Sequence, residues 1–376
     1  LAALDEAKPK SNRENADFLF YKALAYFRKE RHKEALKLLS QIADSDISDI
    51  RKAKYHKLKG DLLQHNRDYG AAFLAYEASN AAVKASTDYQ RQKDGAEQYF
   101  LEKKRMLTQL RKSSKQTSNT NKIAVKWQKP TFLIGFPRSG TTLLDNILRS
   151  HSRIDVVEEQ PMLARALSVV KNSQELTSVE QMDEATLTSA CEIYLEELKK
   201  HVLQPSASVI IDKLPLNILE LPMIKQLFPN AKFIFAVRHP LDCILSCWMQ
   251  NFKLNPAMAN MVDLNQTVDF YCMTMESFQL SKKRYQLSVH RVRYEDLVVN
   301  FRGEASNILS FLGLNWEDSL LNYQSTAQAR EKIFPPSHSQ VIKPIYKTAS
   351  YRWKHYLGHL EDFKARVQPW VDEYGY

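Results

Sequence analysis

The sequence predicts an α/β protein in which a mostly parallel, P-loop-like sheet carries helices on its faces and an all-α domain precedes it. Three observations support this fold class. The first hundred residues show helical periodicity without a strand signal. Beyond residue 130, short apolar runs such as TFLIGF, SVIIDK and KFIFAVR alternate with helix-length segments. The polar stretch RKSSKQTSNTNK between them has no hydrophobic face. We therefore predict a helical domain at 1–112, a linker at 113–129 and an α/β domain at 130–376.

The predicted helical domain contains an internal repeat. ADFLFYKALAYFRKERHKEALKLLSQI superimposes on AKYHKLKGDLLQHNRDYGAAFLAYEAS with a shift of 37 residues, which aligns Ala23 with Gly60 and Ala35 with Ala72. Small residues where two helices cross, with large residues between them, are typical of tetratricopeptide repeats, whose usual period is about 34 residues. The usual Trp and Pro positions of that repeat are absent, so a generic pair of helical hairpins stays the alternative.

The net charge of +10 is concentrated near the N-terminus. Residues 1–129 hold 27 lysines and arginines against 16 acidic residues, a net +11, whereas the remainder is close to neutral at −1. A basic half can indicate a nucleic-acid or acidic partner. Because these charges are interleaved along helical faces instead of clustering with aromatic residues, we predict a solvated helical surface and no nucleic-acid partner.

Membrane, metal and disulfide signals are weak. No apolar run reaches the roughly 18 residues that a membrane-spanning helix needs. The four cysteines form no C-x-x-C pair and have no accompanying histidine cluster for zinc. We expect free thiols, no metal site and a reducing compartment, the cytoplasm.

The stretch FLIGFPRSGTTLLDNIL predicts an anion-binding loop. A strand ends at Gly135 and a helix begins near Gly140, so backbone amides and the helix N-terminus favour a bound anion. Further donors come from the side chains of Arg138, Ser139, Thr141 and Thr142.

This loop lacks the lysine of nucleoside-triphosphate P-loops. Those loops read G-x-x-x-x-G-K-[ST], and Thr141 occupies the lysine position here. No apolar strand ends in an aspartate suited to Mg²⁺; SVIIDK comes nearest, but a lysine follows its acid directly. The loop therefore fits a 5′-phosphate group with little charge beyond it, which disfavours the alternative of an ATP-dependent kinase.

A second strand end is also basic. In KFIFAVRHPLDCILSCWMQNF, Arg238 follows its strand and Ser246 lies eight residues later, two turns into the next helix. Together they offer a charged fork and a hydroxyl to another phosphate. A nucleoside carrying both a 5′ and a 3′ phosphate group would bridge the two loops.

With these motifs in this order, residues 130–376 resemble the sulfotransferases that use 3′-phosphoadenosine 5′-phosphosulfate (PAPS). PRSGTT is similar to their 5′-phosphosulfate loop, and Arg238 with Ser246 to their 3′-phosphate site. The resemblance is closest to the branch that includes protein-tyrosine sulfotransferases and bacterial-type sulfotransferases with tetratricopeptide repeats. It implies that the chain transfers a sulfuryl group from PAPS to an acceptor hydroxyl and needs no metal.

The resemblance also implies individual roles. Glu159, 21 residues after Arg138, matches the catalytic base, and Lys213 matches the lysine at the scissile bridge oxygen. Ser337 matches a serine that, with Arg138, helps hold the transferring group. Cofactor contacts are implied for Tyr294 in RYEDL and Arg352 in SYRW.

Some of these assignments have rivals. Glu158 and Glu159 are adjacent, so at most one carboxylate enters the site, and both fit a solvated turn. Lys213 and Ser337 fit surface or structural positions, and His151 competes as the base. No cysteine accompanies the Glu159 or Lys213 motif, so the disulfide of secretory-pathway members is absent.

The acceptor and the role of the repeats stay open at this stage. A tyrosyl peptide, a glycan and a small alcohol all carry a hydroxyl group. The basic repeats favour an acidic macromolecular acceptor, while repeats also serve homodimer formation. An interaction protein with an inactive α/β domain is the remaining alternative.

Overall fold

The computed structural model describes residues 11–112, 130–173, 182–328 and 350–376. Their contacts divide the chain into two compact units. The helical unit comprises the residues up to Glu102 together with Ile244–Phe270 and Arg352–Arg366. The sheet unit comprises Lys103–Cys243, Tyr271–Tyr351 and Val367–Tyr376. Both units therefore draw on separate parts of the chain, and the linear boundaries at 112 and 130 stay a prediction.

The N-terminal region is all-helical, as predicted. Its helices are α1 (Asn12–Arg28), α2 (His32–Leu39), α3 (Asp49–His65), α4 (Tyr69–Ala85) and α5 (Thr87–Lys112). The starts of α1 and α3 are 37 residues apart, as are those of α2 and α4, which matches the shift of the sequence repeat. The tetratricopeptide assignment itself stays a prediction.

Small residues bring the paired helices together. Ala23, Ala35 and Ala72 are fully buried. A Cβ atom on Gly60 would lie 2.8 Å from Cε1 of Tyr76, so α3 and α4 approach as they do only because Gly60 has no side chain. The repeated small positions are therefore packing positions.

The sheet unit contains a five-stranded parallel sheet. Its strands are β1 (Thr131–Gly135), β2 (Ile154–Glu158), β3 (Val209–Lys213), β4 (Lys232–Val237) and β5 (Ser288–Arg293), in the order β2-β3-β1-β4-β5. This confirms the predicted fold class. Because the strands are parallel, their carboxyl ends and the loops that follow them lie at one edge of the sheet.

The remaining helices of the described ranges lie between and after the strands in sequence. They are α6 (Thr141–Arg149), α7 (Met162–Ser173), α8 (Glu184–His201), α9 (Leu221–Leu227), α10 (Pro240–Trp248), α11 (Pro256–Ala259), α12 (Leu264–Tyr285), α13 (Tyr294–Val299), α14 (Phe301–Leu312), α15 (Tyr323–Gln328) and α16 (Leu357–Tyr374). Short 3₁₀ helices lie at Asp44–Asp46, Pro215–Leu219, Asp318–Asn322 and Arg352–Tyr356.

Both faces of the sheet are buried. Leu133 of β1 packs in a cluster with Ile147 of α6 and Ile308 of α14. Its neighbour Phe132 faces the other side, where its ring centroid lies 6.2 Å from that of Tyr194 in α8. This two-sided burial explains why the strands read as near-continuous apolar runs. Across the described ranges, no helix is both long and apolar enough to cross a membrane.

Candidate active site

The backbone of the loop between β1 and α6 has a conformation that requires a glycine. Gly140 has a left-handed φ of 101°, and a Cβ atom there would lie 2.8 Å from Cδ2 of Tyr294. Arg138 also has a positive φ, 70°. A positive φ is uncommon for a residue with a side chain, and such strain concentrates at functional sites. The conformation of Arg138 therefore supports a role for this loop in binding.

The loop hydroxyls are buried at the N-terminus of α6. Ser139, Thr141 and Thr142 are each almost fully shielded from solvent. The Oγ atom of Ser139 has no hydrogen-bond partner among the described residues. Leaving a buried hydroxyl unpaired costs about 1–3 kcal/mol, so this group fits an oxygen atom of a bound ligand. The loop as folded is thus a buried, donor-rich pocket that suits an anion.

Arg238 follows β4, beside the loop after β1. Its Nη1 donates to the carbonyl oxygen of Arg138 at 3.3 Å, and its guanidinium lies 5.1 Å from the centre of the Tyr294 ring. The same ring contacts the position of Gly140. The structure thus brings the loop of Arg138 and Gly140 together with Arg238 and Tyr294, which are distant from it in sequence.

The charge of Arg238 is supported by its surroundings. Burial by itself lowers the pKa of the guanidinium. The Asp242 carboxylate opposes this effect, with smaller contributions from Cys243, Tyr294 and Glu295, and the net shift of the pKa is upward. Nη2 of Arg238 lies 3.6 Å from Oδ2 of Asp242, one helical turn later. Sequence reasoning missed Asp242, although its i,i+4 spacing from Arg238 was a usable signal.

Glu295 was also missed. One carboxylate oxygen accepts the backbone N–H of His239, the residue after Arg238, at 3.1 Å. The other accepts the hydroxyl of Tyr376 at 2.6 Å. The carboxylate therefore fixes the backbone turn that follows β4. No local sequence signal predicts this, because the partners lie 56 and 81 residues away.

A lysine and two glutamates meet where β2 and β3 end. Glu158 and Lys213 are register partners on the paired strands. Nζ of Lys213 donates to Oε1 of Glu158 and to Oε1 of Glu159, each at 2.7 Å. The backbone N–H of Glu159 donates to the carbonyl oxygen of Lys213 at 2.8 Å. The predicted base and the predicted lysine are therefore in contact.

The charge state of Lys213 follows from the same contacts. Burial lowers the pKa of its ammonium group, but the carboxylates of Glu159, Glu158 and Asp145 outweigh burial and raise the pKa above its ordinary value. Lys213 is accordingly a buried cation at neutral pH.

The two glutamates differ in exposure. The side chain of Glu158 is 12% exposed, whereas that of Glu159 is 43% exposed and its backbone has a left-handed φ of 50°. Glu159 is thus the carboxylate that a ligand can reach. This favours Glu159 over Glu158 as the base, although the role itself stays a prediction.

His151, the rival base, has both ring nitrogens in contact with backbone. Its Nε2 lies 3.0 Å from the carbonyl oxygen of Asn315, and its Nδ1 accepts the N–H of Arg153 at 3.1 Å. With Nδ1 as acceptor, the proton of the neutral ring is on Nε2, which donates to Asn315. The ring is also buried. These contacts give His151 a structural role at the end of α6.

Three further predicted site residues are Ser246, Arg352 and Ser337. Ser246 is buried in α10, and Arg352 lies in a 3₁₀ helix; both belong to the helical unit. Burial raises the pKa of Tyr356, and the positive charge of Arg352 nearby opposes that rise. Ser337 lies outside the described residues. The roles of these three residues stay predictions.

Within the described part of the chain, no group of His, Cys, Asp or Glu side chains is arranged to hold a metal ion. Cys191, Cys243, Cys247 and Cys272 are all free thiols.

Comparison with known proteins identifies the family. The family model described as "Sulfotransferase family" matches residues 130–318, half of the chain. The chain belongs to the sulfotransferase family. The resemblance drawn from its motifs is thereby confirmed.

Two relatives extend this comparison. An uncharacterized protein of Aquifex aeolicus (strain VF5) is 27% identical over 337 residues, covering 83% of this chain and 42% of that protein. Protein-tyrosine sulfotransferase 2 of Gallus gallus is 26% identical over 279 residues, covering 69% of this chain and 73% of that protein. The chain thus spans less than half of the Aquifex protein.

Among solved structures, the sulfotransferase domain from the curacin biosynthetic pathway is similar with a TM-score of 0.41 and 20% identity. That match covers 61% of this chain and 92% of the domain.

Proposed function

We propose that this sulfotransferase moves a sulfuryl group from PAPS to an acceptor hydroxyl without a metal ion. The observation that carries the proposal is the meeting of two basic strand ends. Arg238 after β4 donates to the backbone of Arg138 after β1, and Tyr294 covers both Arg238 and Gly140. Two cationic groups beside a buried, donor-rich loop suit a small ligand that carries more than one anionic group.

Each part of the donor has matching residues in this chain. The 5′ end fits the loop amides and the buried hydroxyls of Ser139, Thr141 and Thr142. The 3′-phosphate fits Arg238; the resemblance adds Ser246, Tyr294 and Arg352 to the donor contacts. When bound, PAPS supplies the activated sulfuryl group.

Glu159 and Lys213 provide the chemistry. Glu159 accepts the proton of the acceptor hydroxyl as that oxygen forms its bond to sulfur. Lys213 and Arg138 stabilise the negative charge that grows when the bond between sulfur and the donor's phosphate oxygen breaks, because the electron pair stays on that oxygen. Cations held in place before the reaction need no reorganisation during it. By the resemblance, Ser337 helps hold the transferring group.

For the acceptor we propose a tyrosyl hydroxyl on an acidic protein or peptide. The similarity to protein-tyrosine sulfotransferases supports the hydroxyl class. The net charge of +11 over residues 1–129 supports an acidic chain, because opposite charges raise the association rate. The four free cysteines support a reducing compartment, which we propose to be the cytoplasm.

The donor site can be tested by calorimetry on the full chain. We expect 3′,5′-adenosine bisphosphate (PAP) to bind without metal, and more tightly than adenosine 5′-monophosphate. Equal affinity for the two nucleotides would contradict the 3′-phosphate site. Preference for ATP with Mg²⁺ would instead support a kinase, and binding of no nucleotide an interaction protein.

The base can be tested by turnover. Glu159→Gln should leave PAP affinity unchanged and lower sulfonated product by roughly 10²–10⁴-fold, the usual contribution of a positioned general base. Product would be followed by mass spectrometry with PAPS and a panel of acidic tyrosine peptides, glycans and small alcohols. Wild-type turnover in Glu159→Gln would remove this residue from the mechanism.

A further inference from the structure

We propose that Glu158 is a positioning residue, which holds the Lys213 ammonium in place and balances its charge while Glu159 changes protonation state. The proposal rests on the sulfuryl-transfer function above, in which Lys213 stabilises the leaving oxygen and Glu159 is the base. It gives Glu158 a role distinct from that of its neighbour.

The geometry separates the two glutamates. Glu158 is the last residue of β2 and the register partner of Lys213 on β3, so the sheet itself holds the pair together. Its side chain is 12% exposed and that of Lys213 is 0% exposed, whereas Glu159 is 43% exposed. Glu158 is thus the shielded partner of the lysine, and Glu159 is the partner that a substrate can reach.

The ammonium group has capacity for one further contact. A protonated lysine carries three N–H donors and no acceptor. Two of them are directed at Oε1 of Glu158 and Oε1 of Glu159. The third has no acceptor among the described residues and suits the bridge oxygen of a bound donor. Lys213 therefore does not need to leave Glu158 in order to act.

Charge balance explains why two carboxylates are present. Accepting the acceptor's proton neutralises Glu159 and removes its attraction for Lys213. The Asp145 carboxylate also lies close enough to raise the Lys213 pKa, but Arg149 binds its Oδ1 at 2.9 Å. An unbalanced buried cation is costly. Because Glu158 stays ionised, the lysine keeps its charge and its position throughout the step.

The test starts with a titration that requires no turnover. Lysines of the full-length protein would be isotope-labelled at Cε, and the Lys213 signal would be assigned by its absence in Lys213→Arg. In Glu158→Gln, Lys213 stays buried but loses one of the carboxylates that raise its pKa. The Lys213 pKa should therefore be lower in this variant than in the wild type. Glu158→Asp keeps the charge and should return the Lys213 pKa most of the way to its wild-type value. It also tests the proposal if Glu158→Gln does not fold.

Kinetics give the second readout, with PAPS and an acidic tyrosine peptide as probes. Glu158→Gln should lower kcat by about 100-fold, the scale for a misplaced catalytic group, with little change in KM for PAPS. The alkaline limb of its pH–activity profile should also lie at a lower pH than that of the wild type, because a lysine with a lower pKa loses its proton at a lower pH.

Glu220→Gln is the matched control, since Glu220 pairs with another buried lysine, Lys103, with side chains 14% and 4% exposed. It should lower the melting temperature without moving the Lys213 titration. An unchanged Lys213 titration in Glu158→Gln, or an equal kcat loss in Glu220→Gln, overturns the proposal. If the wild type releases no PAP from PAPS, the proposed function fails, and the titration still decides whether Glu158 holds the ammonium.

Discussion

Gly140 combines two requirements at one position of the anion-binding loop. Its φ of 101° is a conformation that residues with a Cβ atom rarely adopt, and the Tyr294 ring occupies the space a side chain would need. Both requirements follow from the path of the backbone around the predicted 5′-phosphosulfate site.

Replacing this glycine should therefore damage donor binding. Gly140→Ala should weaken PAP binding by at least about tenfold, since the left-handed strain alone costs roughly 1–2 kcal/mol before the contact with Tyr294 is counted. Calorimetry would measure the change. Gly358→Ala is the matched control, because the added Cβ would meet no atom within 4 Å beyond its own stretch of helix backbone, and φ is not positive there. Equal PAP affinity in both variants would contradict the assigned loop.

Asp212, next to Lys213, makes stability depend on pH. Burial raises the pKa of its carboxyl group to about 7, although the hydrogen bond from the Tyr194 hydroxyl and the nearby amide of Asn217 act in the opposite direction. The folded protein therefore binds this proton more tightly than the unfolded chain does. The associated stability is fully present below the unfolded pKa near 4 and is lost as pH rises through about 7.

Asp212→Asn should abolish this dependence. Between pH 5 and pH 8 the wild type should lose up to about 3 kcal/mol of unfolding free energy that the variant keeps, because about two pH units separate pH 5 from the folded-state pKa of about 7. Guanidinium unfolding at several pH values would measure the difference. Asp183→Asn, at an exposed helix N-cap whose pKa is lowered by backbone hydrogen bonds, should keep the wild-type slope over this range. An unaltered slope in Asp212→Asn would show that Asp212 stays ionised.

At the scale of elements, the parallel sheet decides where the site forms. The strand order places β1 between β3 and β4, so the loop after β1 lies beside Lys213 on one side and Arg238 on the other. No single strand or helix carries the site. The parallel direction of neighbouring strands gathers their ends at one edge.

Substitution of Arg238, at the end of β4, tests whether the strand ends form the donor site. Arg238→Ala should weaken PAP binding by about 2–4 kcal/mol, the scale for leaving a buried phosphate without its charged partner, and should affect adenosine 5′-monophosphate much less. Lys232→Ala removes the same charge at the opposite end of the same strand, where the lysine donates to the carbonyl oxygen of Phe311. If Arg238→Ala and Lys232→Ala bind PAP with equal affinity, Arg238 does not contact the 3′-phosphate.

At the scale of the whole molecule, the second helical repeat shares a hydrophobic cluster with segments that lie far from it in sequence. Phe73 of α4 packs against Trp248 of α10 with ring centroids 4.7 Å apart, in one hydrophobic cluster that also contains Tyr356. Asn80 of α4 donates to the carbonyl oxygen of Trp248 at 2.9 Å. The second repeat is therefore packed on segments that lie beyond β4 in sequence, and its removal would expose their apolar residues.

A pair of adjacent residues tests this dependence. Phe73→Ala should reduce the unfolding free energy by about 3–5 kcal/mol, the cost of deleting a buried aromatic ring. Leu74→Ala, whose side chain is on the exposed side of the same helix, should change it by less than about 0.5 kcal/mol. Thermal and denaturant unfolding would measure both. If Phe73→Ala is as stable as Leu74→Ala, the cluster contributes little to the fold.

The sequence alone determined the features that depend on neighbouring residues. Helical periodicity and a 37-residue repeat predicted the N-terminal helices, and alternating apolar runs predicted the parallel sheet. PRSGTT without a lysine predicted the anion-binding loop, and the order of motifs predicted the family. These properties are local, because periodicity, turn chemistry and a missing lysine can be read within a few residues.

Only the tertiary structure decided the contacts between distant residues. The resemblance selected Glu159 by its spacing from Arg138, but VVEEQP does not show which glutamate is shielded. The end of the β2–β3 pairing shields Glu158 and leaves Glu159 exposed. The contact between Arg138 and Arg238 joins residues 100 positions apart, and compact units built from separate segments have no signature along the chain. The physical reason is that burial and charge balance depend on which strands and helices pack together, and the sequence order does not record that packing.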